Sequence, residues 1–252
     1  MVTRKSRREI EKMRVAGRIV AEVLALEESE LKPGVTTGHL DRLAERHIRA
    51  SGAVPSFKGY GHRSNPFPGS LCISIDDEVV HGIPGDRAIR SGQIVSIDAG
   101  AIYDGWHGDG ARTFVVGDAR PEIAELIDTT RLAMMAGIAA AVPDANLGDI
   151  SGAIEDAAAP GGYGIVKQFV GHGIGTEMHQ EPQVPNYRTG VRGMKLAPGI
   201  CLAIEPMLTL GSGDVAVRPD GWTVATVDGS LAAHFEHTIA VTDNGPEILT
   251  TV

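Results

Sequence analysis

Sulfur is scarce in this chain, long apolar runs are missing, and positive charge is in deficit. The two cysteines, Cys72 and Cys201, are far apart and lack the spacing of a thiolate metal site. A disulfide has no support, and a reducing cytoplasm is the expected location. No stretch approaches the roughly 20 apolar residues of a membrane span, and the opening residues lack the apolar core of a signal peptide. With 23 Lys and Arg against 32 Asp and Glu, the net charge of -9 argues against nucleic acid as the main ligand. The basic start, TRKSRRE, reads more simply as the solvated first turn of a helix than as an RNA contact. Low-complexity segments and obvious linkers are also missing.

What remains is 252 residues, 42% hydrophobic and 22% charged, enough for a full core. Ile10, Met13, Gly17, Val20 and Leu24 recur at steps of three and four, which predicts an amphipathic helix over 7–30, stopped by Pro33-Gly34. A second helix follows, with Thr37 as its expected N-cap. The order repeats further on: Pro121 opens a long helix, Pro143-Asp144 stops it, and NLGDISGAIEDAA forms a short one. Strand segments repeat as well. SGQIVSIDAG and APGICLAIEP each place a carboxylate six residues after a glycine, and VVHGIP echoes VGHGIG. Three echoes in similar order predict two related α+β halves about a pseudo-twofold axis, 1–117 and 118–252, sharing one core.

The carboxylates inside apolar strands demand an explanation, because a buried ionised carboxylate is costly unless paired or metal-bound. Asp98 ends QIVSID, Asp109 precedes GARTFVV, and Asp104-Gly105 between them is a hairpin signal. Folding there sets Asp98 and Asp109 opposite or diagonal on one face, within roughly 4.5–8 Å. Glu205 ends ICLAIE and Glu236 opens EHTIAVT. Asp76, Asp77 and Glu78, by contrast, read as a turn. Four carboxylates brought together would raise one another's pKa values, and two divalent cations would neutralise them. In GHGIGTEMHQEPQV (171–184) the glycines oppose a helix at roughly 1 kcal/mol each, so His172 and His179 sit on backbone of unusual path. A neutral His172 could complete an oxygen-rich ligand set suited to Mn, Fe, Co or Zn. Two-metal sites of this kind activate water for hydrolysis.

CISIDDEVVHGIP, IVSIDAGAIYDGWHGDGARTFVVG, GHGIGTEMHQEPQV, LAIEPM and DGWTVATVDGSLAAHFEHTIAVTDNGPEILT together resemble the type I methionine aminopeptidases, in their short bacterial form, over nearly the whole chain. The resemblance implies an α+β pita-bread (creatinase/aminopeptidase) fold: two pseudo-symmetric halves with a central curved antiparallel sheet and flanking helices. It implies the metal ligands Asp98, Asp109, His172, Glu205 and Glu236, with Asp109 and Glu236 bridging two divalent ions (Co, Mn, Fe, Zn or Ni). Glu205 would also help deprotonate water, His179 would steady the scissile carbonyl, and His81 would contact the substrate amide. The methionine pocket would use Tyr60, Phe67, Cys72, Met178 and Trp222, and a pocket cysteine would be open to thiol reagents. Two departures stand out: GYGHRSNPFPGS is about four residues longer than the family's usual link, and Met178 replaces an aromatic residue.

The implied activity is removal of the initiator methionine from nascent proteins and peptides whose second residue is small. The rivals are a prolidase-like enzyme on the same fold and a non-catalytic binding protein that has lost its metals. The first usually carries an additional N-terminal domain, and the second would lack a ligand, whereas all five are present. A reading with the acids in structural ion pairs leaves their positions unexplained. A monomer without membrane or specific nucleic-acid partners is expected, and ribosome association is left open.

Overall fold

The computed structural model describes residues 2–252. Among these residues four α-helices flank a nine-stranded sheet: α1 (Arg7–Glu30), α2 (Thr37–Ala50), α3 (Pro121–Ala140) and α4 (Leu147–Ala158). The expected helices all form. α1 begins with a capping box, Ser6 and Glu9 exchanging side-chain and backbone hydrogen bonds, a device contributing about 1 kcal/mol. α2 differs from expectation by one residue. Its N-cap is Thr36, whose hydroxyl accepts from His39 N at 3.2 Å. The Thr37 hydroxyl instead bonds Gly85, through both its N–H and its carbonyl. α3 carries Pro121 in its first turn, where the missing N–H is harmless.

The main path of the sheet runs Val54–Pro55, Ile94–Tyr103, Trp106–Val115, Glu236–Thr242, Cys201–Ile204, Gly171–Gly173, Gln180–Val184. Leu71–Ile75 also pairs with Ile94–Tyr103, and Gly245–Ile248 with Glu236–Thr242, every pairing antiparallel. Two three-stranded sheets lie outside this path, one of them containing Glu78–Val80. Glu78 is therefore strand rather than turn. Its carboxylate is buried, accepts from Ile75 N and pairs with Arg87 and Arg218, which is how a charge survives there. Asp76 and Asp77 keep the expected turn, Asp76 with φ 61°.

The sheet's two faces are used differently. Gly108 meets α1 backbone to backbone: a Cβ there would lie 2.6 Å from Gly17 N. Gly110 likewise faces Val20. α1 thus lies directly on the back of Trp106–Val115, and the odd-numbered residues of that strand point to the opposite, open face. No helix among the described residues is long and apolar enough to cross a membrane.

Candidate active site

Strand parity assembles the site. The turn at Asp104-Gly105, with φ 49° and 79°, closes the expected hairpin, because two left-handed residues match the strand twist. Asp98 pairs with Ala111 and Ala111 with Glu236, so those three share a face, and Asp109 joins them two residues before Ala111. On the other side Thr238 pairs with Ala203, which pairs with His172. Glu236 and Glu205 lie two residues from Thr238 and Ala203. Alternation therefore brings all five expected ligands to one side of one sheet. Ala111 and Ala203, the residues at the crossing points, are small enough to leave space between the carboxylates.

The loop that supplies the histidines depends on its glycines. A Cβ on Gly171 would strike the Ala203 carbonyl, and one on Gly173 the Glu181 carbonyl. The glycines thus let Gly171–Gly173 fit between its two neighbouring strands. His172 Nδ1 donates to Gly173 O at 2.9 Å, leaving Nε2 as a bare acceptor 3.4 Å from Glu205 Oε1. His179 lies beside it, ring centroids 4.3 Å apart. Its Nδ1 is 2.7 Å from the Tyr60 hydroxyl. When that hydroxyl donates to Nδ1, the His179 proton sits on Nε2. A buried lysine supports the loop from behind: Lys5 Nζ donates to Gln180 Oε1 at 3.1 Å, and its stem fills the space a Gly175 side chain would need.

Electrostatically the cleft is under strain. Burial pushes the Asp98 carboxyl up to about 8. Asp109, Glu205 and Glu236 are raised well above the carboxylate range, first by burial and then by the charge of neighbouring carboxylates, Asp98 acting on all three. Desolvation lowers His172 to about 3 and His81 to about 4, and lowers His179 as well, so all three imidazoles are neutral at pH 7. Asp98 Oδ1, Asp109 Oδ1 and Glu236 Oε1 are buried with no hydrogen-bond partner. One ligand atom each from Asp109, His172 and Glu236 lies within 4.8 Å of the others. Carboxyl oxygens and an imidazole nitrogen that close, with no lysine, arginine or amide among them, fit divalent cations. Asp109 is further fixed by Thr238, whose hydroxyl accepts from its N–H and donates to its carbonyl.

A pocket opens beside this cluster and is lined by every remaining expected residue: Tyr60, Phe67, Cys72, His81, Met178 and Trp222. Phe67, Cys72 and Met178 pack together with Phe57, and Trp222 stands edge-on to Phe67 at 5.2 Å. The longer 60–72 link leaves this wall in place. Phe67 N donates to Tyr60 O and Gly59 N to Phe67 O, both at 2.8 Å, so the added residues bulge outward as an exposed loop. Gly61, at φ 93°, gives way to the Trp222 ring. His81 adopts φ 60°, a conformation rare outside glycine, and its ring stands edge-on to Phe169 and Trp222. Cys72 is less open than its place in the pocket wall implied: it is 4% exposed, and burial with nearby carboxylates pushes its thiol well up.

Four residues escaped the sequence reading. Phe57 and Val80 line the pocket, and His107 is buried against Ser56 at 3.0 Å. His234 also lines it, with Nε2 3.7 Å from Glu205 Oε2. Parity was the available signal for the histidines, since they precede Asp109 and Glu236 by two residues each.

The profile of metallopeptidase family M24 matches residues 11–243. A methionine aminopeptidase of Clostridium acetobutylicum is 51% identical over 251 residues, covering 99% of both chains. The crystal structure of a Thermotoga maritima methionine aminopeptidase superposes with a TM-score of 0.96 at 42% identity, covering all of both chains. A prolidase from Pyrococcus horikoshii shares the fold, with a TM-score of 0.78 at 24% identity over 99% of this chain and 63% of its own.

Proposed function

Because the chain belongs to the methionine aminopeptidases of metallopeptidase family M24, we propose that Asp98, Asp109, His172, Glu205 and Glu236 hold two divalent cations. The fold is the pita-bread fold of these enzymes and of the prolidases, and the activity is metal-dependent hydrolysis that releases an N-terminal methionine. The observation that supports the ligand assignment is the convergence, on one sheet face, of buried carboxyl oxygens without hydrogen-bond partners among the described residues, beside the His172 imidazole. The metals, when bound, polarise the scissile carbonyl and make water a nucleophile at neutral pH.

The chain's own residues do the rest. The thioether lies among Phe57, Phe67, Cys72, Met178 and Trp222, a largely apolar slot with aromatic and sulfur contacts. Glu205 accepts the proton of the attacking water. His179, neutral and protonated on Nε2 while Tyr60 occupies Nδ1, donates to the developing oxyanion. His81, aimed by its left-handed backbone, donates to the substrate amide region. A wider cleft runs outward from His172 and His179 past Thr176, Glu177 and Gln183 and takes the rest of the polypeptide.

The enzyme works as a cytoplasmic monomer, a single catalytic domain of two halves (1–117 and 118–252), on nascent chains and peptides with a small second residue. Cobalt, manganese, iron, zinc or nickel would suit its ligands. Metal-stripped protein given manganese or cobalt should release methionine from Met-Ala-Ser and leave Leu-Ala-Ser and Met-Leu-Ser intact. Turnover of Leu-Ala-Ser at a similar rate would refute the pocket assignment, and no cleavage by protein holding two ions would refute the reaction.

A further inference from the structure

Glu205 is bracketed by two imidazoles, one on each oxygen. His172 Nε2 stands 3.4 Å from Oε1, and His234 Nε2 3.7 Å from Oε2. The two rings are not equivalent. His172 gives its Nδ1 proton to Gly173 O, so its Nε2 carries a lone pair and suits a metal. Among the described residues His234 makes no side-chain hydrogen bond; it is 2% exposed, and its Nε2 is buried without a partner. Its backbone is pinned: His234 N donates to Thr113 Oγ1 at 2.8 Å, and that hydroxyl donates to His234 O at 2.7 Å. Thr113 belongs to the strand that bears Asp109, so the ring is registered against the ligand strand.

A buried ring N–H with no acceptor is costly, whereas donation to a carboxylate is among the stronger hydrogen bonds. The carboxylate oxygen that faces Nε2 is Glu205 Oε2, and a small rotation of that carboxylate closes 3.7 Å to hydrogen-bond length. We propose that His234 is a positioning residue for the metal site: its Nε2–H holds Glu205 Oε2, which turns Oε1 toward the ion that His172 binds. The inference rests on the two-metal reading of the cleft and adds a residue to it. Metal-binding carboxylates are commonly held this way by a hydrogen-bond donor behind them.

The test uses the full chain, stripped of metal and titrated with manganese alone by calorimetry, with circular dichroism to verify folding. His234→Leu removes the donor and keeps the bulk, and should weaken manganese binding by about 10- to 100-fold. His234→Gln places an amide N–H near the Nε2 position and should restore binding to within a few-fold of the unsubstituted chain. His234→Asn, whose amide falls short of Oε2, should behave as the leucine variant and serves if leucine does not fold. Unweakened binding in the folded leucine or asparagine variant would reduce His234 to packing and overturn the proposal. A glutamine variant as weak as leucine would make His234 a ligand in its own right, also overturning it. Failure of the unsubstituted chain to bind manganese would instead bring down the two-metal reading, and the positioning role with it.

Discussion

Glu27, on α1, and the four carboxylates of the cleft are the same anomaly in two places: an acidic group shut away from water. Glu27 is fully buried, both its oxygens lack hydrogen-bond partners, and burial pushes it up to about 8, with Asp41 and Glu30 adding to the shift. Asp98 is displaced to a similar value. The difference lies in their company. Glu27 belongs to the buried face of α1, among Val20, Val23 and Leu24, and a proton is enough to make it tolerable there. In the cleft, four carboxyl groups converge with a histidine whose free nitrogen is an acceptor, and neighbouring neutral imidazoles border an open pocket. Burial alone therefore marks a group as protonated; convergence of acceptors marks it as a site.

The largest effect is expected on removing one of the proposed ligands. Asp109→Ala or Glu236→Ala should abolish tight metal uptake and lower methionine release by at least about 10³-fold, roughly 4 kcal/mol in the barrier. Metal content by atomic absorption and peptide turnover would check it. Glu27→Leu, the matching change outside the cleft, should leave both unaltered. His179→Ala should keep the wild-type metal content and lose about 10²–10³-fold in turnover; full activity would end its proposed role.

Stability against pH should change by less. The Glu27 carboxyl is raised from an unfolded value of 4.5 to about 8, so between those values the folded chain binds more protons than the unfolded one. Its contribution to stability is intact below about pH 4.5 and is lost as pH rises through about 8, at no more than about 1.4 kcal/mol per pH unit. Denaturant melts of metal-free protein at pH 5 and 8 should show wild type losing more stability than Glu27→Gln. Equal losses would place the proton elsewhere. The smallest effect concerns Cys72, whose raised thiol pKa and burial predict slow modification by iodoacetamide at pH 7; reaction at the rate of an exposed thiol would contradict the packing of the pocket wall.

Much of this was legible in advance where chemistry follows from alternation. Asp98, the Asp104-Gly105 turn and Asp109 form one local hairpin, so their relation needs only strand parity. Glu205 and Glu236 were legible as carboxylates in apolar strands, though only the non-local pairing of Cys201–Ile204 with Glu236–Thr242 turns them toward the same space. His234 was missed because it ends a strand of another sheet before the chain re-enters the main one at Glu236. Phe57 joins the pocket through packing that no local period encodes. Thr36 displaced Thr37 as N-cap because Gly85, distant in sequence, takes the Thr37 hydroxyl, and Glu78 became a strand residue because it pairs with Ala225, also distant in sequence. Cys72, paired across strands with Asp98, lines the pocket as expected, yet its neighbours leave the thiol almost no access.

Burial and mutual repulsion should leave the metal-free cleft carboxyls holding protons that divalent cations displace. Manganese titration of the metal-free chain at pH 7, run by calorimetry in buffers of different ionisation enthalpy, measures metal uptake and proton release together. Two ions should bind per chain, with protons released in Asp109→Ala-sensitive fashion and unaffected by Glu27→Gln. Uptake without proton release, or no uptake at all, would contradict it.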